Sequence, residues 1–285
     1  MANHGVPTAQ TADRAAAQII KVDGFEIAHR ELGGGTATPL VALIHLGANL
    51  DAWDPQVVDP LAVDRRVIML GYRGVGRSTG RVRDSLGDMA DDAIAAIRAL
   101  GLARIDLLGL SMGGMVAQEI IARAPGLVRR VVLASTAPTG GPGLRRMTGV
   151  MLRGAARGAL TGRPATSLLF FTRSTAGRWS AAAYQARLMR PRADREPAVS
   201  PGIIRAQLRA VARRGALPAP TAALQVERAL AIHGDADVLV PVTNAGALRA
   251  AFPGIEVVIV PDAGHGVVSQ IPATLTDRIR AFLRG

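Results

Sequence analysis

The stretch IDLLGLSMGGMVAQEIIAR, residues 105–123, decides the fold. Residues 105–110 form a short, mostly apolar run that predicts a buried strand. Residues 112–124 follow as a helix, stopped by Pro125-Gly126. Between them, Gly109-Leu110-Ser111-Met112-Gly113 fits G-x-S-x-G, a serine on a sharp strand-to-helix turn with its hydroxyl raised above the sheet edge. Glycine is needed at 109 and 113 because a Cβ there would meet neighbouring backbone. A helix opening at Met112 aims its N-terminal amides, and its positive dipole end, at any negative charge developing beside Ser111. A chance match in a chain with 32 glycines is the alternative; the strand before and the helix after set it aside.

The same alternation runs outward in both directions. Residues 19–22 and 25–30 read as two strands joined by the hairpin turn Asp23-Gly24. Residues 40–45 (LVALIH) and 67–70 (VIML) are continuous apolar runs, as expected of strands covered on both faces. Leu86, Met89, Ala93, Ile94, Ile97 and Leu100 recur at helical spacing within 84–100. Strands are expected again at 128–134, 229–233 and 255–260, with helices from 241 and over 270–283. Strand–helix alternation predicts an α/β fold: a mostly parallel central sheet with helices on both faces. Residues 1–17 read as a flexible, Ala-rich leader, and 18–138 with 229–285 as the core. Residues 139–228 show no buried strand and read as an insertion, a helical, arginine-rich lid over the carboxyl ends of the strands.

Composition narrows the function classes. Of 285 residues 49% are hydrophobic, enough for a large core. The absence of cysteine removes disulfides, thiolate metal sites and cysteine nucleophiles, and fits a reducing compartment. No apolar run is long enough for a membrane span, and residues 1–17 lack the basic start and apolar stretch of a secretory signal. A cytoplasmic protein is expected. The net charge of +12 raises nucleic acid as a partner, but its location argues against that. Residues 139–228 hold 16 arginines against Asp194, Glu196 and Glu227, a net +13, while the remainder is near neutral. Those arginines form either a solvated face or a field attracting anionic substrates.

Serine at its ordinary pKa needs a base to become a nucleophile. Among the five histidines, His265 lies in Asp262-Ala263-Gly264-His265-Gly266, on a glycine-flanked loop just after the last strand. His4 falls in the leader and His29 in the early hairpin, and His45 and His233 end strands, where a structural role is the simpler reading. The acid belongs between serine and histidine in chain order. The segment Gly234-Asp235-Ala236-Asp237 offers two; Asp237 is favoured as the acid, and Asp235 as a turn residue bonding nearby amides. Oxyanion donors are expected at the backbone N–H groups of Leu46 and Met112. Met147, Met151, Phe170, Phe171 and Trp179 are candidates for an apolar substrate pocket, with packing inside the lid as the other reading. Gly74-x-Gly76-x-x-x-Gly80 misses the dinucleotide fingerprint by one residue and opens no helix, so no cofactor is implied, and no metal.

The segments HLGANLDAWD (45–54), YRGVGRS (72–78), GLSMGGMVAQ (109–118), HGDADVLVP (233–241) and AGHG (263–266) together resemble the α/β-hydrolase fold superfamily, close to its esterase, lactonase and perhydrolase-like members. The resemblance covers the core from about residue 19 onward. It implies a serine hydrolase acting on a small-molecule carboxylic ester or lactone through Ser111, His265 and Asp237. C–C bond hydrolysis or perhydrolysis with the same residues, and a ligand-binding, non-enzymatic member, stand as alternatives; no oligomeric state is implied. Leu46 departs from the family, where many members carry glycine after the histidine. Ser111 argues against the aspartate nucleophile of the related dehalogenases and epoxide hydrolases. Tyr184 is the sole tyrosine in 139–228, so a paired-tyrosine electrophile is missing.

Overall fold

The structure, a computed structural model, describes residues 11–192 and 194–285. Strands β1 (Gln18–Val22) and β2 (Phe25–Leu32) form the early hairpin, followed by β3 (Leu40–Leu43), helix α1 (Pro55–Leu61) and β4 (Val67–Leu70). Helix α2 (Leu86–Ala99), β5 (Ile105–Leu110), α3 (Met112–Arg123) and β6 (Val128–Ala134) continue the alternation. Helices α4 (Met147–Thr161), α5 (Ala165–Leu169), α6 (Thr175–Leu188) and α7 (Pro201–Ala216) follow without an intervening strand. The chain closes with β7 (Arg228–Gly234), α8 (Thr243–Ala247), β8 (Glu256–Val260), α9 (Val267–Gln270) and α10 (Pro272–Arg284).

The eight strands form one sheet in the order β1-β2-β4-β3-β5-β6-β7-β8. β2 runs antiparallel to both β1 and β4, and every pairing from β4 to β8 is parallel. Each residue of β3 and β4 is buried, as their unbroken apolar runs require, whereas the edge strand β1 is largely exposed. The chain builds outward from β3 to β4 on one side, then from β5 to β8 on the other. That reversal opens a crevice at the carboxyl ends of β3 and β5, the place where such sheets bind ligands. Among the described residues no helix is long and apolar enough to cross a membrane.

Two differences from the sequence reading have local causes. Residues 1–10 of the expected leader, with His4, lie outside the described residues. From residue 11 onward the chain packs on the core: Ala12 and Ala15 are buried, and Ala12 N–H donates to Asp59 Oδ1 at 2.8 Å. The helix expected from 241 is a single short turn region, Thr243–Ala247, continued by a 3-10 turn at Leu248–Ala250.

Helices α6 and α7, and Phe170 just after α5, are tied by polar contacts to the loops that follow β3 and β8. Arg187 of α6 forks onto Asp54 with bonds of 2.8 and 2.7 Å, both groups buried. Gln207 of α7 accepts from Gly47 N–H at 2.8 Å, and Phe170 O accepts from Gly266 N–H at 2.8 Å.

Candidate active site

The turn between β5 and α3 holds Ser111 at φ +54, a conformation that costs a non-glycine residue about 1–3 kcal/mol. The surroundings enforce it. Ser111 N–H donates to Ala134 O at 2.8 Å, and Thr136 Oγ1 donates to Ser111 O at 2.7 Å. A Cβ on Gly109 would lie 2.5 Å from Gly114 Cα, and one on Gly113 would lie 2.1 Å from Leu43 O. Backbone on both sides cannot give way, so the turn closes only with glycine there. Gly113→Ala is therefore expected to lower unfolding free energy by about 1–3 kcal/mol or more. Gly254→Ala, whose Cβ meets nothing within 4 Å, should be near neutral. Urea denaturation compares the two, and equal midpoints would mean that the turn tolerates a side chain.

His265, on the loop after β8, places Nε2 2.9 Å from Ser111 Oγ and Nδ1 2.8 Å from Asp237 Oδ2. All three side chains are buried. Asp237, after β7, turns its other oxygen inward: Oδ1 accepts from Leu239 N–H at 2.8 Å and Val240 N–H at 2.9 Å. Burial raises the Asp237 carboxyl, but the His265 charge and the bonds from His233 and His265 outweigh it and hold the group well below the usual carboxylate range. Asp235 is exposed; its Oδ1 accepts from Ala263 N–H at 3.4 Å and makes no bond to His265. His233 donates through Nε2 to Val240 O at 2.7 Å and braces the same loop.

Ser111 and His265 open onto a cavity of about 40 Å³, bounded also by His45, Trp53, Phe170 and Tyr184. Leu46 and Met112, the chain neighbours of the lining residues His45 and Ser111, are buried, and neither backbone N–H donates to another group among the described residues. Met112 is the first helical residue of α3, so its N–H has no intrahelical acceptor. Of the five apolar candidates, only Phe170 bounds this cavity; its ring packs 5.3 Å from His265 and 5.0 Å from His45. Phe171 does not line this cavity and packs on Tyr184. Met147 is buried and Met151 half-buried in the packing of the segment, and Trp179 is 74% exposed. The helical period of the segment did not tell which face would meet the sheet.

His45 is the residue that the sequence reading placed differently. β3 ends at Leu43, so His45 stands on the following loop rather than in the strand. Its Nδ1 donates to Leu46 O at 3.0 Å, which fixes the tautomer and leaves Nε2 as a buried acceptor without a partner among the described residues. Burial, and to a smaller degree the neighbouring His265, push its imidazole down to about 4. Trp53 was missed altogether; it fills the cavity wall from the loop before α1 and is 1% exposed.

The model of the alpha/beta hydrolase fold family matches residues 39–270. The pimeloyl-[acyl-carrier protein] methyl ester esterase of Pectobacterium carotovorum is 30% identical over 254 residues, covering 87% of this chain and 95% of that protein. A match to RutD of Rhizobium rhizogenes is 37% identical over 90 residues and spans only 31% of this chain and 34% of that protein's length. Among solved structures, an alpha/beta hydrolase fold protein from Chitinophaga pinensis is 28% identical with a TM-score of 0.88, covering 96% of this chain and 99% of that one.

Proposed function

The chain belongs to the alpha/beta hydrolase fold family, and from that premise we propose that it is a serine hydrolase cleaving small carboxylic esters or lactones through an acyl-enzyme. The observation that carries this reading is the unbroken relay Ser111 Oγ–His265–Asp237, at 2.9 and 2.8 Å, on a strained turn at the crevice. The esterase name of the Pectobacterium relative supports the substrate class.

In this mechanism Ser111 Oγ attacks the substrate carbonyl while His265 Nε2 takes its proton. Asp237 keeps the Nδ1–H tautomer and stabilises the imidazolium. The amides of Leu46 and Met112, both without another acceptor, receive the oxyanion. His265 returns the proton to the leaving oxygen, and water repeats the sequence in reverse on the acyl-enzyme. Residues 139–228 act as the lid: Phe170 and Tyr184 complete the cavity wall. The cysteine-free composition supports a cytoplasmic setting.

A cavity of about 40 Å³ fits a short acyl group. Turnover of p-nitrophenyl esters tests both substrate and mechanism. Acetate and propionate esters are expected to be hydrolysed with kcat/KM at least about tenfold above the octanoate ester, since overfilling a packed site is costly. The rate should fall in acid with the slope of one proton. His45, pushed down to about 4, stays neutral from pH 5 to 8, and Asp237, held low, stays charged. The fall in acid then reports the need for a neutral histidine as the base that accepts the serine proton. No turnover of any of these esters, or a flat profile from pH 5 to 8, would contradict the reading.

A further inference from the structure

Two groups stand out among the sixteen arginines of residues 139–228. One is matched to carboxylates of the core: Arg187 with Asp54, Arg209 and Arg213 with Asp84, and Arg214 with Glu119. The other is Arg153, Arg157, Arg163, Arg173 and Arg178, which converge on one concave groove of about 690 Å³. Among the described residues none of these five pairs with a carboxylate, and no acidic side chain lines the groove. All five are exposed. Arg153 and Arg157 stand one turn apart on α4, a like-charge spacing that weakens a helix unless something neutralises it.

The floor beneath these charges is apolar: Val150, Leu168, Leu169, Phe171 and Val238. The groove shares no lining residue with the cavity at Ser111. Phe170 and Phe171 stand back to back as the wall between them, and Ala236 and Val238 flank Asp237 on the groove side. The volume lies within the range of small-molecule sites. A guanidinium cluster recognises phosphate through paired N–H donors, and an apolar floor takes a hydrocarbon chain.

We propose that this groove is a second binding site, separate from the catalytic cavity, for an amphiphilic anion: a phosphate monoester carried on an alkyl or acyl chain. The chain lies on the floor of Leu168, Leu169 and Phe171, and the phosphate is held by Arg157 and Arg178 with their neighbours. The site does not depend on hydrolysis, so its test is a binding measurement.

Calorimetric titration of the full-length protein with octyl phosphate, below its micelle-forming concentration, is the experiment. One equivalent is expected to bind, at least about tenfold more tightly than inorganic phosphate or octyl glucoside, on wild type and Ser111→Ala alike. Arg157→Gln/Arg178→Gln should weaken octyl phosphate at least tenfold, while hydrolysis of a short neutral ester is unchanged. Arg209→Gln/Arg213→Gln removes the same charge elsewhere in the segment and should leave binding within about twofold. Equal losses in the two double variants would mean a diffuse field rather than a site, and overturn the proposal. So would equal affinity for octyl glucoside, equal affinity for inorganic phosphate, or sedimentation with phosphatidylglycerol vesicles without binding of the monomeric amphiphile. Single variants Arg157→Gln and Arg178→Gln, each exposed, provide the same readout if the double variant folds poorly.

Discussion

Replacing Ser111 with alanine is expected to reduce ester turnover by about four to six orders of magnitude while the protein melts within a few degrees of wild type. Nucleophile, base and acid act as a unit, so losing the nucleophile removes nearly all the acceleration that the three supply together. What survives is the contribution of binding and of the oxyanion donors. The fold should tolerate the change because Ser111 holds its turn through its own backbone, its N–H donating to Ala134 O and its carbonyl accepting from the Thr136 hydroxyl, not through its side chain. Steady-state hydrolysis of p-nitrophenyl acetate and a thermal melt decide it. More than a tenth of wild-type turnover would leave Ser111 without the role of nucleophile.

The second large effect separates two neighbouring aspartates. Asp237→Asn should lower kcat by about 10⁴. An amide can present N–H to His265 Nδ1 and so turn the imidazole to the tautomer that cannot accept the serine proton. Asp235→Asn should remain within a few-fold of wild type, since Asp235 is exposed and bonds only the Ala263 amide. The same p-nitrophenyl ester assay measures both. Reversed results would move the acid to Asp235 and leave the reaction class intact.

The fold was legible because its signals are local. The apolar runs at 40–45 and 67–70 read as covered strands, and Gly109 and Gly113 mark a turn that admits no side chain. The two aspartates were harder. What separates them is the direction of one carboxyl, set by the amides of Leu239 and Val240, and no spacing encodes that. His45 read as a strand residue because the apolar run continues to it, but the sheet releases the chain at Leu43. The helical segment was least legible. In α6, Trp179 faces solvent and Tyr184, five residues on, reaches the cavity. An aromatic residue there carries no mark of which side it faces. The Ala-rich start misled for a related reason: alanines suit a loose chain and a tight contact equally, and Ala12 and Ala15 make the contact.

The central claim is that Ser111 is an activated nucleophile. Intact-mass and peptide-mapping measurement after treatment with a fluorophosphonate tests it most directly, because phosphonylation requires a serine whose proton is being removed. The expected result is one phosphonyl group per chain, on the peptide containing Ser111, with concurrent loss of ester hydrolysis and no label on Ser111→Ala. An unlabelled protein that still hydrolyses esters, or a label on another residue, would contradict it.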